Sequence, residues 1–344
     1  TERSNVVEGQ DAVKTFSFYN LSPVDFTDNA DITAVLRGTA SGRQQTQTFT
    51  IDGPAAGDTT TFDTAIETIG QDGLNNLSVQ VSAIENEEYT FNNDLILVES
   101  VRVSADNTNP VLDVTFDGAY IMNGDIVSPE PTIIIRMKDD NSFIQKSDTL
   151  GMEIKLKRPC EGCILERVNF TDPNVQYAPA SSTNDFEITY LPGPLTDGIY
   201  SLSVQGRDES GNAAGTAPYE IEFEVVTTAS ITHFYPYPNP FSSQTRFVFT
   251  LTGSEVPDKL KIQIMTISGR IVKEINQDEI GPIKIGHNIT EYAWDGTDEF
   301  GDPLANGVYF YRVVMPSKGE ALKHRRTSAD KAFKNGFGKL YILR

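Results

Sequence analysis

Residues Tyr219–Val226 read Tyr-Glu-Ile-Glu-Phe-Glu-Val-Val, with apolar side chains two apart and a glutamate in each gap. Successive side chains of an extended chain point to opposite faces, so this spelling makes one apolar face and one charged face. The same period recurs in Val13–Tyr19 (VKTFSFY), Leu77–Val81 (LSVQV), Thr132–Met137 (TIIIRM), Tyr200–Val204 (YSLSV), Arg246–Leu251 (RFVFTL) and Leu260–Ile264 (LKIQI). Gly, Pro, Asn and Asp separate these runs, as expected of turns between strands. No run sustains the i, i+3, i+4, i+7 spacing of an amphipathic helix. Phe62–Ile69 (FDTAIETI) reads either as one helical turn or as a further strand. The expected fold class is all-β.

With 344 residues, the chain is long enough for two or three domains. Polar breaks at Ser104–Pro110 (SADNTNP) and Thr227–Thr232 (TTASIT) follow strand-like runs and divide it into three. The expectation is three tandem immunoglobulin-like β-sandwich domains, at residues 1–104, 105–226 and 227–344. The net charge of −20 is uneven: residues 1–104 hold 5 basic and 16 acidic side chains, and residues 105–226 hold 8 and 20. Residues 227–344 hold 15 and 12, and the basic surplus lies in 316–344, interleaved with Phe333, Phe337 and Tyr341. The acidic thirds would repel phosphate and anionic lipid, so nucleic acid is not an expected partner. No apolar run reaches the roughly 18–20 residues that cross a bilayer, and membrane insertion is not expected. The polar start at Thr1, with neither initiating Met nor the order of a signal peptide, is expected of a fragment of a longer protein.

Two Cys, three His and one Trp leave little material for catalysis. Cys160-Glu161-Gly162-Cys163 follows Pro159 and lies between the strand-like Met152–Lys157 and Ile164–Phe170. A redox CxxC needs a helix N-terminus and a βαβ setting, which this one lacks. It reads as a disulfide-stapled loop, with free surface thiols as the alternative. Zinc would need two further ligands close by. Asp139, Asp140, Asn141 and Asp148 form an acidic loop that offers oxygen ligands to calcium, without EF-hand spacing; a solvated loop is the competing reading. His233, His287 and His324 sit in separate segments beside no activated Ser or Cys. The chain is therefore expected to be no enzyme and to need no cofactor. Asp58-Thr59-Thr60, Asp63-Thr64-Ala65 and Asp148-Thr149-Leu150 resemble the short O-glycosylation sites of Bacteroidetes surface proteins.

The last third carries four ordered motifs: Tyr235-Pro236-Tyr237-Pro238-Asn239-Pro240-Phe241, then Ile264–Arg270 (IMTISGR), then Trp294-Asp295-Gly296-Thr297-Asp298, then Ala305–Arg312 (ANGVYFYR). Ser268-Gly269 and Asn306-Gly307 are turn signals, and Trp294 is placed to plug the end of a sandwich. Over residues 233–315 this set resembles the immunoglobulin-like module of the flagellar hook-capping family and the C-terminal sorting domains of type IX secretion cargo. Residues 5–100 resemble, more loosely, the CARDB-type adhesion module. In the middle third, Asp197-Gly198-Ile199-Tyr200 and Arg207–Asn212 (RDESGN) resemble bacterial Ig-like repeats. The whole resembles the C-terminal region of gingipain-like, PorU-type surface sortases. In that family a caspase-like cysteine peptidase domain precedes such modules, and no residue of that domain is present here.

The resemblance implies a non-catalytic stalk and sorting or attachment module of a secreted, outer-membrane-associated protein. Its implied partner is a β-barrel component of the secretion or attachment machinery. Val308, Tyr309, Phe310, Tyr311, Lys339 and Tyr341, on an exposed strand edge and the tail, are the expected contacts. The fragment alone is expected to be a monomer. The alternative function is an adhesin or glycan-binding module, with Tyr89-Thr90-Phe91 as a modest aromatic platform.

Overall fold

The computed structural model describes residues 2–26, 28–82, 90–257, 259–314 and 336–344. The protein is built of immunoglobulin-like β-sandwiches in tandem, and alternation in the sequence becomes alternation in burial. Along Ala30–Gly38 every second side chain is buried, and in Tyr219–Val225 Ile221, Phe223 and Val225 are buried while Glu220 and Glu222 are not. Among the described residues three hydrophobic cores result, drawn from residues 12–103, 114–225 and 231–342.

Around the first core, Ser4–Val7, Asp94–Ser104, Gly73–Val81, Ala30–Gly38 and Gln44–Ile51 form one sheet in that spatial order. Ala12–Tyr19 and Thr59–Ile66 form the second sheet, paired antiparallel through eight residues. Phe62–Ile66 is thus strand and not helix, with Phe62 stacked on Phe16 at 5.8 Å and Ile66 buried. Glu99, at φ 48°, kinks Asp94–Ser104 where its register against Gly73–Val81 shifts.

Around the second core, Val175–Ala178, Phe186–Tyr190, Ile133–Lys138 and Val111–Phe116 face a five-stranded sheet. That sheet runs Glu166–Arg167, Glu153–Lys157, Gly198–Gln205, Tyr219–Val225 and Asp125–Val127. The strand expected over Ile164–Phe170 shrinks to Glu166–Arg167. Directly beyond it the chain turns, the Asn169 and Asp172 side chains accepting the backbone N–H of Thr171 and Asn174 at 3.1 and 3.0 Å.

Around the third core, Ser230–Tyr237, Arg246–Thr252 and Gly286–Ile289 face Ile271–Ile275, Lys261–Met265, Gly307–Val314 and Gly338–Ile342. The turn at Ser268-Gly269 closes the hairpin between Lys261–Met265 and Ile271–Ile275, with Gly269 at φ 87°. Trp294 is 0% exposed. Its indole Nε1 donates to Thr297 O at 2.9 Å, and its ring lies 5.6 Å from that of Phe241. Burying such a ring contributes on the order of 2–3 kcal/mol.

Candidate functional site

Three of the four motifs of the last third converge on one strand, and the remaining one, Ile264–Arg270, lies a strand further into the same sheet. Gly338–Ile342 pairs antiparallel with Gly307–Val314, Tyr309 opposite Leu340. Its other edge is taken by the Pro-rich segment: Phe241 N–H donates to Tyr341 O at 3.1 Å and Leu343 N–H to Phe241 O at 2.9 Å. The Asn239 amide donates to Lys339 O at 3.0 Å and accepts from Tyr341 N–H at 2.9 Å. Arg344 then locks the end. Its guanidinium donates to Asp295 O at 2.6 Å and to Gly296 O and Leu304 O at 3.1 Å. Asn306 closes the lock through both the N–H and the O of Arg344, at 2.9 and 3.1 Å. Gly296 leaves room for this: a Cβ there would stand 2.7 Å from Arg344 Nη2. At Gly338 a Cβ would fall on the ring of Tyr311. The Asp295 carboxyl is held below the ordinary aspartate value, first by the Thr297 hydroxyl, which donates to it at 2.7 Å.

This geometry corrects the expected contact surface. Gly307–Val314 is an inner strand, with Lys261–Met265 on one side and Gly338–Ile342 on the other, so it offers no free edge. Tyr309 and Tyr311 face the core, their hydroxyls donating to Ala305 O at 2.9 Å and Phe234 O at 3.0 Å. Val308, Phe310, Lys339 and Tyr341 lie on the opposite face, Val308 beside Tyr341 and Phe310 beside Lys339. Phe337 joins them, 6.5 Å from Phe310 and under the Arg312 guanidinium at 5.7 Å. What the sheet presents is therefore an aromatic and basic face. Arg312 is oriented on it by Gln263 Oε1 at 2.8 Å, and Gln263 in turn donates to Glu274 at 2.6 Å.

The acidic loop is arranged differently from its sequence reading. The carboxylates that meet are Asp106, Asp139 and Asp208, with ligand oxygens within 4.8 Å of one another. Asp140 is outside this group, and Asp148 pairs with the buried Lys146 at 3.5 Å, so both leave the calcium set. Asn141 is a clamp: its amide donates to Glu8 O at 3.3 Å and Asp106 Oδ2 at 3.2 Å. Ser210 and Asn212 also donate to Asp106, at 3.1 Å each, so the segment following the first core is tied to two loops of the second. Asp208 accepts from Asn212 N–H at 2.8 Å and Nδ2 at 3.0 Å. Burial raises the Asp139 carboxyl above its ordinary value; the Asn141 N–H opposes this, and the neighbouring Asp106 and Asp208 add to it. Asp106 and Asp208 lie 33 residues before and 69 after Asp139 in the chain, so no local pattern joins the three.

Cys160 and Cys163 are bonded to each other, Cα atoms 5.3 Å apart, in a turn where Cys163 N–H donates to Cys160 O at 3.2 Å. His233 and His287 sit on different strands, and His324 lies outside the described residues. Thr64 is fully buried and donates to Lys14 O at 3.3 Å, which closes one of the three glycosylation motifs in the folded chain. Phe91 is 80% exposed, while Tyr89 lies outside the described residues.

No protein-family model matches the chain, and no curated protein matches it. Among solved structures it is similar to dimeric latent PorU from Porphyromonas gingivalis, at 14% identity and TM-score 0.27. That match covers 99% of this chain and 32% of the other, so the chain spans about a third of that length. It is similar to domains A168–A170 of titin at 10% identity and TM-score 0.26, over 92% of this chain and 97% of that one. The match to BcpA, the major pilin subunit of Bacillus cereus, has 9% identity and TM-score 0.18 over 96% of each chain. Likeness at this level concerns the fold alone.

Proposed function

We propose that the chain is a non-catalytic stalk and attachment region of a secreted, outer-membrane-associated protein exported by type IX secretion. Its parent would be a gingipain-like cysteine peptidase. Two acidic sandwiches space the upstream domain from the envelope, and the last sandwich engages a β-barrel component of the machinery. The observation that carries this reading is the outward face of Val308, Phe310, Arg312, Phe337, Lys339 and Tyr341. It is aromatic and basic on a chain of net charge −20, and it is held by the motifs that carry the family resemblance. Aromatic and Arg side chains on a rigid sheet suit a docking surface.

The test is recovery of an outer-membrane β-barrel protein from envelope extract by the full chain and by Val308→Glu/Tyr341→Glu. Both positions are over a third exposed, so the variant should fold. Wild-type recovery lost in the variant supports the reading; equal recovery by both refutes it. A calcium ion at the junction, held by Asp106, Asp139 and Asp208, belongs to the same proposal: hard oxygen ligands suit it, and it would relieve their mutual repulsion.

A further inference from the structure

Beside the disulfide turn, the open side of the second sandwich contains a cavity of about 250 Å³. Its walls include Arg167 from one sheet and Arg158 just past the end of its neighbouring strand, Tyr190 from the other sheet, and Asp172 and Asn174 from the loop that crosses between the sheets. The cavity is preformed. Asn169 and Asp172 fix the loop through their own backbone turns, and Asn174 O accepts Leu191 N–H at 2.9 Å, which fastens the loop to the end of the Tyr190 strand.

Three groups here lack partners. Among the described residues, neither the Arg158 nor the Arg167 guanidinium makes an ion pair or hydrogen bond, although residues 105–226 hold 20 acidic side chains. Tyr190 is only 7% exposed, its ring lying in the core, and its hydroxyl, which has no hydrogen-bond partner among the described residues, opens onto the cavity. A hydroxyl presented on a rigid ring at the cavity wall, beside two guanidinium groups with no protein partner, is free to donate to whatever enters it. Burial raises the Tyr190 pKa, against the pull of Arg158, so the hydroxyl is a neutral donor at physiological pH.

We propose that this cavity binds an acidic monosaccharide unit, its carboxylate taken by Arg158 and Arg167 and its ring hydroxyls by Tyr190, Asp172 and Glu166. Planar guanidinium forks match a carboxylate in two parallel hydrogen bonds. The acids on the rim decide the class of ligand. A dianion such as phosphate would face Glu166 and Asp172 and be repelled, whereas a singly charged polyol donates its hydroxyl protons to them. The volume lies below the roughly 300–1,000 Å³ of sites for drug-sized ligands, and suits one sugar unit. A single unit held by a few polar contacts binds weakly, in the millimolar range, and gains strength only when repeated along a polymer. This inference does not depend on the attachment face of the third sandwich, which lies in a separate core.

The experiment is titration of the full chain with glucuronate, following backbone amide NMR shifts of residues 167–174 and Leu191. Glucose and alanine serve as neutral and zwitterionic controls. Saturable shifts with glucuronate are expected, at least tenfold weaker with glucose and alanine. Tyr190→Phe should weaken glucuronate several-fold, and Arg158→Gln/Arg167→Gln should abolish the shifts; both Arg are exposed, so that variant's thermal midpoint should match wild type. No saturation by glucuronate, an equal response to alanine or glucose, or undiminished binding by a folded double Gln variant overturns the proposal.

Discussion

Arg344→Ala tests whether the last strand is held as the structure draws it. The substitution removes three hydrogen bonds from one guanidinium, to Asp295 O at 2.6 Å and to Gly296 O and Leu304 O at 3.1 Å. Hydrogen bonds to a charged group contribute about 1.5–3 kcal/mol each. These three share a side chain, and water reaches the carbonyls once it is gone, so the expected loss is about 2 kcal/mol in total. With a urea dependence of about 1–3 kcal/mol per molar, the unfolding midpoint of the third sandwich falls by roughly 1 M. The chain supplies its own reporter: its one Trp, Trp294, is fully buried in this core and bonded to Thr297 within the turn that Arg344 grips. Urea unfolding followed by Trp294 fluorescence therefore reads this module and not the other two. Arg344→Lys keeps the charge without the fork and should lose most of the same stability. A midpoint unchanged in Arg344→Ala would mean that the guanidinium lock contributes nothing, and that the strand is held by its ladder, by Asn239, Phe241 and Asn306, and by burial of Leu340 and Ile342.

The disulfide closes a loop of only four residues, so Cys160→Ser should cost no more than about 2 kcal/mol in the second sandwich, read by differential scanning calorimetry. Asp295 has its pKa lowered on folding, so its stabilisation is present above the ordinary value of 3.8 and is lost as pH falls through the folded value. Asp295→Asn should accordingly flatten the acid limb of the Trp294 midpoint below about pH 4. Asp139 is shifted the other way: its favourable contribution is present below the ordinary value of 3.8 and is lost as pH rises through the raised folded value. Asp139→Asn should thus raise the thermal midpoint at neutral pH, and millimolar calcium should raise that of wild type but not that of Asp139→Asn/Asp208→Asn.

The sequence revealed strands better than their neighbours, for a physical reason. A period of two is local, and it placed Tyr219–Val226, Arg246–Leu251 and Leu260–Ile264 in strands from their own residues. Ile164–Phe170 forms a strand only over Glu166–Arg167, and the Asn169 and Asp172 side chains, bonding the N–H of Thr171 and Asn174, turn the chain directly after it. Phe62–Ile69 was undecided by pattern and was settled by packing on Phe16 and Phe49, which no local window contains. The acidic cluster was half legible: Asp139 stood in a marked loop, but Asp106 and Asp208 join it only through the fold.

Strand spelling fixes which face a side chain takes, but not whether the strand lies at an edge. Val308–Val314 alternates correctly, and the alternation already separates Tyr309 and Tyr311 from Val308, Phe310 and Arg312. What it lacks is the pairing of Gly338–Ile342, supplied from beyond residue 335, and of Phe241 and Asn239, from about 100 residues earlier. Those two additions turn an expected open edge into a closed one. Backbone hydrogen bonds are then already used, so a partner here has only side chains to read. Recognition at this end of the sheet would then be a matter of the aromatic and basic face, and it should be sensitive to charge reversal at Lys339 and to salt, as strand addition through backbone groups would not be.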